Sequence, residues 1–175
     1  MENLKLAFLS SYNFENDSVY RGAVLVTDEN TKPIEFRVTS TIKPTDFQKT
    51  LYGSILSEHI LVELIAVPLL GALKDQPDFV LVQDPLFLAA NDKQGLRIVR
   101  LFKETEGDGH NEAEQATVIN SKYEPILLET SKHIEADLVE IRKRLSDIFA
   151  QRNLLEPFDR VKVACQQIHD KKVGE

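Results

Sequence analysis

A single cysteine, Cys165, is all the sulfur ligand chemistry this chain has. That excludes an intrachain disulfide and any cysteine-built zinc site. Basic residues are in deficit, with 21 Lys and Arg against 28 Asp and Glu and a net charge of -7. Bulk charge therefore argues against nucleic acid and anionic membrane as partners. The opening MENLKLAFLSSYNF has no basic stretch followed by an unbroken apolar core, so no secretory leader is expected. No window holds the ~18 apolar residues of a membrane span. The best one, residues 55–73, is interrupted by Glu58, His59, Glu63 and Pro68. A cytoplasmic protein with no membrane partner is expected. Also missing are a phosphate-cradling glycine loop, a Ser-His-Asp spacing, and aromatic residues interleaved with basic ones.

What the chain does have is an ordinary globular composition, 42% hydrophobic and 28% charged over 175 residues. That is enough for one domain with a sizeable core. Its organising stretch is KPTDFQKTLYGSILSEHILVELIAVPLLGALKDQPDFVLVQD, from Lys43 to Asp84. Pro44 sets an extended entry, and Thr45 or Asp46 is placed to cap a helix. Leu51, Ile55, Leu56, Ile60 and Leu61 follow at helical spacing, and from Ile60 to Leu73 apolar residues run nearly all round. Such a helix is buried on most sides, and Ile60 and Leu64 are expected in the core with Val80. Pro68 predicts a kink, because it removes a donor and crowds the carbonyl of Leu64. Phe79-Val80-Leu81-Val82 reads as a central strand covered on both faces. Functional residues collect at the C-terminal ends of such strands, here Gln83 and Asp84.

Before this stretch, Leu4–Leu9, Tyr20–Thr27 and Pro33–Thr41 read as three strands, the last two joined as a hairpin. After it, Leu96–Phe102 is a fifth. Residues 103–117 form a polar, acidic, glycine-bearing loop. Leu86–Ala90 suits a short helix or turn, and Pro125–Glu129 a strand. From Ile134, the residues Leu138, Ile141, Leu145 and Ile148 form an a/d stripe, followed by a second helix that has Pro157 early and Phe158, Val161, Cys165 and Ile168 on its apolar face. The expected architecture is an α/β fold, a mixed five-stranded sheet over residues 1–130, with a C-terminal helical hairpin over 131–175 packed on it.

The order of three strands, a crossover helix and a further strand, with the DFVLV run, resembles the ribonuclease-H-like fold. Residues 4–102, and Tyr20 to Asp84 in particular, resemble its endonuclease-V-type arrangement. The chain is also similar to an uncharacterised bacterial protein family sharing an EFRVT…PT..Q..LYG pattern. The first resemblance implies a metal-dependent nuclease with acidic ligands, one of them an aspartate on the first strand. Here that strand and its exit read FLSSYNF, with no acid until Glu15. Asp84 alone matches a catalytic acid by position, and Glu15, Asp17, Glu58 or Glu63 would have to partner it.

Asp84 is accordingly the candidate catalytic and metal-binding residue, for Mg2+ or Mn2+. The competing reading is a turn cap ahead of Pro85. His59 and Glu63, four apart, could form an acid–base pair on one helix face. Asp108, His110, Glu112 and Glu114 could hold a cation weakly, although a solvated loop is the simpler reading. With an incomplete acid set, the expected function is a non-enzymatic structural or interaction subunit that needs no cofactor. It would hold a protein partner or a second copy through outward positions Leu138, Leu145 and Phe149. The alternatives are a metal-dependent nuclease or phosphoesterase centred on Asp84, and a small-ligand sensor.

Overall fold

The computed structural model describes residues 4–91, 97–103, 115–118, 126–131 and 137–173. The acidic-loop candidates Asp108, His110, Glu112 and Glu114 lie outside them.

Three antiparallel strands open the chain: β1 (Leu6–Phe14), β2 (Val19–Thr27) and β3 (Pro33–Val38). A helical stretch crosses the sheet and delivers β4 (Phe79–Val82), which lies parallel to β1. Next come β5 (Ile98–Lys103), parallel to β4, then β6 (Gln115–Val118) and β7 (Ile126–Glu129). The sheet order is β3-β2-β1-β4-β5-β7-β6. The α/β class and mixed sheet are as expected, but the sheet has seven strands rather than five. The short run ILLE pairs antiparallel with β5 and carries β6 on its outer edge. The first strand is also longer than its hydrophobic pattern. Its polar half, SSYNF, continues to pair with β2 as far as Phe14↔Val19, because backbone pairing does not depend on side-chain polarity.

The crossing stretch is built in pieces. Helix α1 (Asp46–Tyr52) begins with a capping box: Thr45 Oγ1 accepts from the Gln48 N–H, and Gln48 Oε1 accepts from the Thr45 N–H. It ends at Gly53, whose φ of 54° and ψ of -129° need a residue without Cβ. After a 3-10 turn and α2 (Leu56–His59), the chain widens into a π-helical segment, Ile60–Ala66, and continues as α3 (Val67–Ala72). The widening lies just ahead of Pro68: the Val67 N–H bonds back to the Val62 carbonyl oxygen, five residues earlier. It also shifts the buried face. Ile60 and Ile65, five apart, point inward at 1% and 0% exposure, whereas Leu64 is 39% exposed and not in the core as the 3.6 period predicts. The stretch 46–72 is long and apolar enough by length and mean hydropathy (1.8) to cross a membrane. Its second half nevertheless packs Ile60, Leu61, Val62, Ile65 and Leu69 against Ala7, Leu9, Val24, Val80 and Val82 of the sheet.

The other sheet face is covered by α4 (Leu138–Phe149) and α5 (Glu156–Val173). Leu138, Leu145 and Phe149 are 8%, 0% and 0% exposed and sit in one cluster with Phe8, Leu81, Leu101 and Leu128. They are core residues and do not form an outward partner surface. A seven-stranded sheet has two faces to cover, and this stripe is the second layer.

Candidate functional site

Strand β1 has nine residues, but only Leu6, Ala7 and Phe8 pair with β4. Strand β4 is cut short by Asp84-Pro85. Asp84 Oδ1 accepts from the Leu86 N–H at 3.0 Å and caps a 3-10 helix, Pro85–Ala90, which turns the chain away. The C-terminal half of β1 therefore runs on with one edge open, beside the point where the chain has crossed from one side of β1 to the other. Ligands bind at such switch points in α/β sheets.

Here the structure has a cavity of about 550 Å³, lined by Ser11, Tyr12, Asn13 and Phe14 of β1, Tyr20 of β2, and Asp84 and Leu86 beyond β4. Ser57 and Leu61 close it on one sheet face, and Lys162 and Gln166 of α5 on the other. Strand alternation explains the two walls. Ser11 and Asn13 follow Ala7 and Leu9 toward the crossing helices; Tyr12 and Phe14 follow Leu6 and Phe8 toward α5.

The lining is about half polar and poor in acid. Burial pushes the Tyr12 hydroxyl up to about 12, a shift opposed by a Ser10 hydrogen bond and aided by Cys165 and Asp159. At neutral pH it is the neutral phenol, and its O–H donates to the Phe158 carbonyl oxygen at 3.4 Å. Behind the α5 wall, Phe14 stacks on His169 with ring centroids 4.0 Å apart. His169 Nδ1 accepts from Arg21 Nε at 2.9 Å, and both residues are buried. An accepting Nδ1 leaves Nε2 as the ring nitrogen that can donate.

The residues singled out from sequence are not gathered into one site. Asp84 lines the cavity; Glu15, Asp17, Glu58, His59 and Glu63 do not. Glu15 and Asp17 lie in the β1–β2 turn with left-handed φ of 51° and 65°. His59 stacks on Tyr52 at 4.4 Å and lines a separate hollow of about 150 Å³ with Leu56 and Leu64. Among the described residues no three His, Cys, Asp or Glu are grouped to hold a metal ion. Lys162 and Gln166 carry no sequence signal for the cleft, because one helical turn of a polar face looks like any other. Buried Arg21 is hidden inside a strand pattern.

No protein-family model matches the chain, and no curated protein does. Solved structures do. Endonuclease V from Streptomyces avermitilis superposes with a TM-score of 0.62 at 12% identity, over 98% of this chain and 83% of that one. Human endonuclease V gives 0.55 at 11%, over 99% and 87%. Ciona intestinalis endonuclease V, solved in complex with a 24mer DNA containing an inosine followed by a ribo-adenosine, gives 0.56 at 13%, over 97% and 87%. The fold is thus of the endonuclease V type, ribonuclease-H-like, over nearly the whole chain. The expectation of a non-enzymatic subunit, which rested on the missing first-strand acid, is overturned by these neighbours, which are endonuclease V structures. They also count against excluding nucleic acid from net charge, since a local surface and not the total sets binding.

Proposed function

We propose that the chain is a metal-dependent nuclease or phosphoesterase acting on nucleic acid, with Asp84 as its centre. The observation that carries this reading is the position of Asp84. It is the acid of the cleft at the open end of β1 and β4, in a fold shared with endonuclease V structures.

The donor set bears on whether a divalent ion fits. Asp84 is exposed, its Oδ1 serves the Leu86 N–H, and its Oδ2 makes no hydrogen bond among the described residues. Neutral oxygens of Ser11, Asn13 and Ser57 line the same cavity. This is too little for a protein-built cage. It fits the mode in which Mg2+ keeps several waters and is held by one or two carboxylates together with a substrate phosphate. Asp84 Oδ2 would hold the ion, which would supply charge neutralisation on phosphoryl oxygens and a more acidic bound water. The chain's own part is to seat the phosphodiester with the hydroxyls and amides of the β1 side.

The test is cleavage of end-labelled single- and double-stranded oligonucleotides with MgCl2 or MnCl2. Wild type is expected to cut only with the ion present, and Asp84→Asn is expected to be inactive at unchanged Tm, because Asn can keep the cap on Leu86. No cleavage by folded wild type with either ion, or equal cleavage by the variant, overturns the proposal.

A further inference from the structure

Arg21 is 3% exposed, yet its guanidinium bonds only to neutral acceptors, His169 Nδ1 and the Thr39 carbonyl oxygen, both at 2.9 Å. Among the described residues no carboxylate lies within ion-pair distance of it. A buried cation in a protein is normally matched by a counter-charge, because desolvating an unpaired one is costly. Arg21 lies directly across the sheet from Tyr12 and next in sequence to Tyr20, and both tyrosines line the cleft. His169, its partner, stacks on Phe14, a third lining residue, and is one helical turn beyond Gln166, a fourth. The second cation is Lys162, in the cleft wall itself and without an ion pair among the described residues. Two cations without ion pairs among the described residues thus stand on the α5 side of the cavity, where the nearby acids are Asp159, whose charge acts on Tyr12, and Asp170, engaged by the Gln166 amide; Asp84 lines the cavity beyond β4.

We infer that the α5 wall of the cleft, Lys162 and Gln166 backed by buried Arg21, is a phosphate subsite for a nucleic-acid backbone, distinct from the Asp84 centre. This rests on the reading that nucleic acid is the substrate. The phosphate supplies the negative charge that the protein leaves out. Lys162 contacts it as a point charge and Gln166 through its amide. Gln166 Nε2 is held by Asp170 Oδ1 at 2.8 Å, which fixes that side chain's orientation. Arg21 contributes field from behind Tyr12, where low dielectric strengthens it, and is a positioning residue.

The experiment is binding of a fluorescent single-stranded oligonucleotide by anisotropy, without divalent ions, over a NaCl series. Each phosphate neutralised contributes a slope of about 0.7 in log affinity against log salt on single strands. Lys162→Met is expected to lower the slope by about that amount with several-fold weaker binding, and Lys162→Arg to restore both. Equal slopes for wild type and Lys162→Met overturn the subsite, even if the protein cleaves. A reduced slope in a protein that never cleaves supports the subsite and removes the nuclease reading. Wild type that binds no oligonucleotide overturns both.

Discussion

Arg160 and Thr31, 129 positions apart, are joined by two hydrogen bonds: Arg160 Nη1 donates to the Thr31 carbonyl oxygen at 2.6 Å and Nη2 to Thr31 Oγ1 at 3.0 Å. Thr31 closes the β2–β3 turn with φ at 61°, a left-handed conformation unusual for a β-branched residue. The guanidinium, itself held by Glu156, ties α5 to that turn. Arg160→Met is expected to cost about 1.5–3 kcal/mol, the range for hydrogen bonds to a charged group. In that background Thr31→Gly should recover part of the loss by relieving the left-handed strain. Urea melts of both variants check this; no recovery would mean that the turn is not strained.

Gly22 on β2 faces Ile65 of the π-helical segment so closely that an added Cβ would meet Ile65 Cγ2 at 2.1 Å. Gly22→Ala is expected to destabilise by roughly 1–3 kcal/mol or more through overpacking. Adding Ile65→Ala, which removes both Cγ atoms, should cost less than the sum of the two single variants. Thermal melts of the single and double variants measure the coupling.

Leu145 is fully buried between α4 and the sheet. Leu145→Ala should cost about 2–5 kcal/mol, and Leu145→Glu should unfold the chain without a folded, dissociated intermediate. Light scattering beside thermal melts distinguishes this from a partner-surface role, in which assembly alone would change.

Two buried groups predict alkaline sensitivity. Burial pushes the Cys165 thiol from 9.0 to about 11, partly offset by the Arg21 charge, and the Tyr12 hydroxyl from 10.0 to about 12. Both are higher in the folded state, so their contribution is fully present below the unfolded values and is lost as pH rises through the folded ones. Stability should decline between about pH 9 and 12, less so in Tyr12→Phe. At pH 8 Cys165 should react with a thiol reagent at the unfolding-limited rate, and fast labelling of native protein would contradict its burial.

Glu35 on β3 holds the end of α3 to the sheet. Its carboxylate accepts from the Asp75 and Lys74 N–H groups and from Arg37, and these bonds, that to Asp75 largest, keep it below the ordinary carboxylate value. A depressed folded value gives stability that is present above the unfolded value of 4.5 and lost as pH falls through the folded one. Glu35→Gln should be less stable than wild type at pH 7 and should converge on it under acid. Parallel melts that never converge would show that the carboxylate's charge is not what holds the contact.

Local patterns in the chain itself carried the α/β class, the crossing helices, the buried strand Phe79–Val82 and Asp84 at its exit. Hydrophobic period and turn chemistry are properties of neighbouring residues, so they can be read without coordinates. The same holds for Thr45 as a cap, for Pro157 at a helix start, and for Cys165 on an apolar face. Only the tertiary structure decided the rest. Leu64 left the core because the π-helical segment spent one extra residue on a turn. Leu138, Leu145 and Phe149 entered it because a wider sheet needed a second layer. The polar half of β1 became one wall of a cleft because β4 stops short beside it. Arg21, Lys162 and Gln166 come to that cleft from strands and helices up to 145 residues apart. Their proximity depends on how whole elements pack, and no local period or motif encodes that.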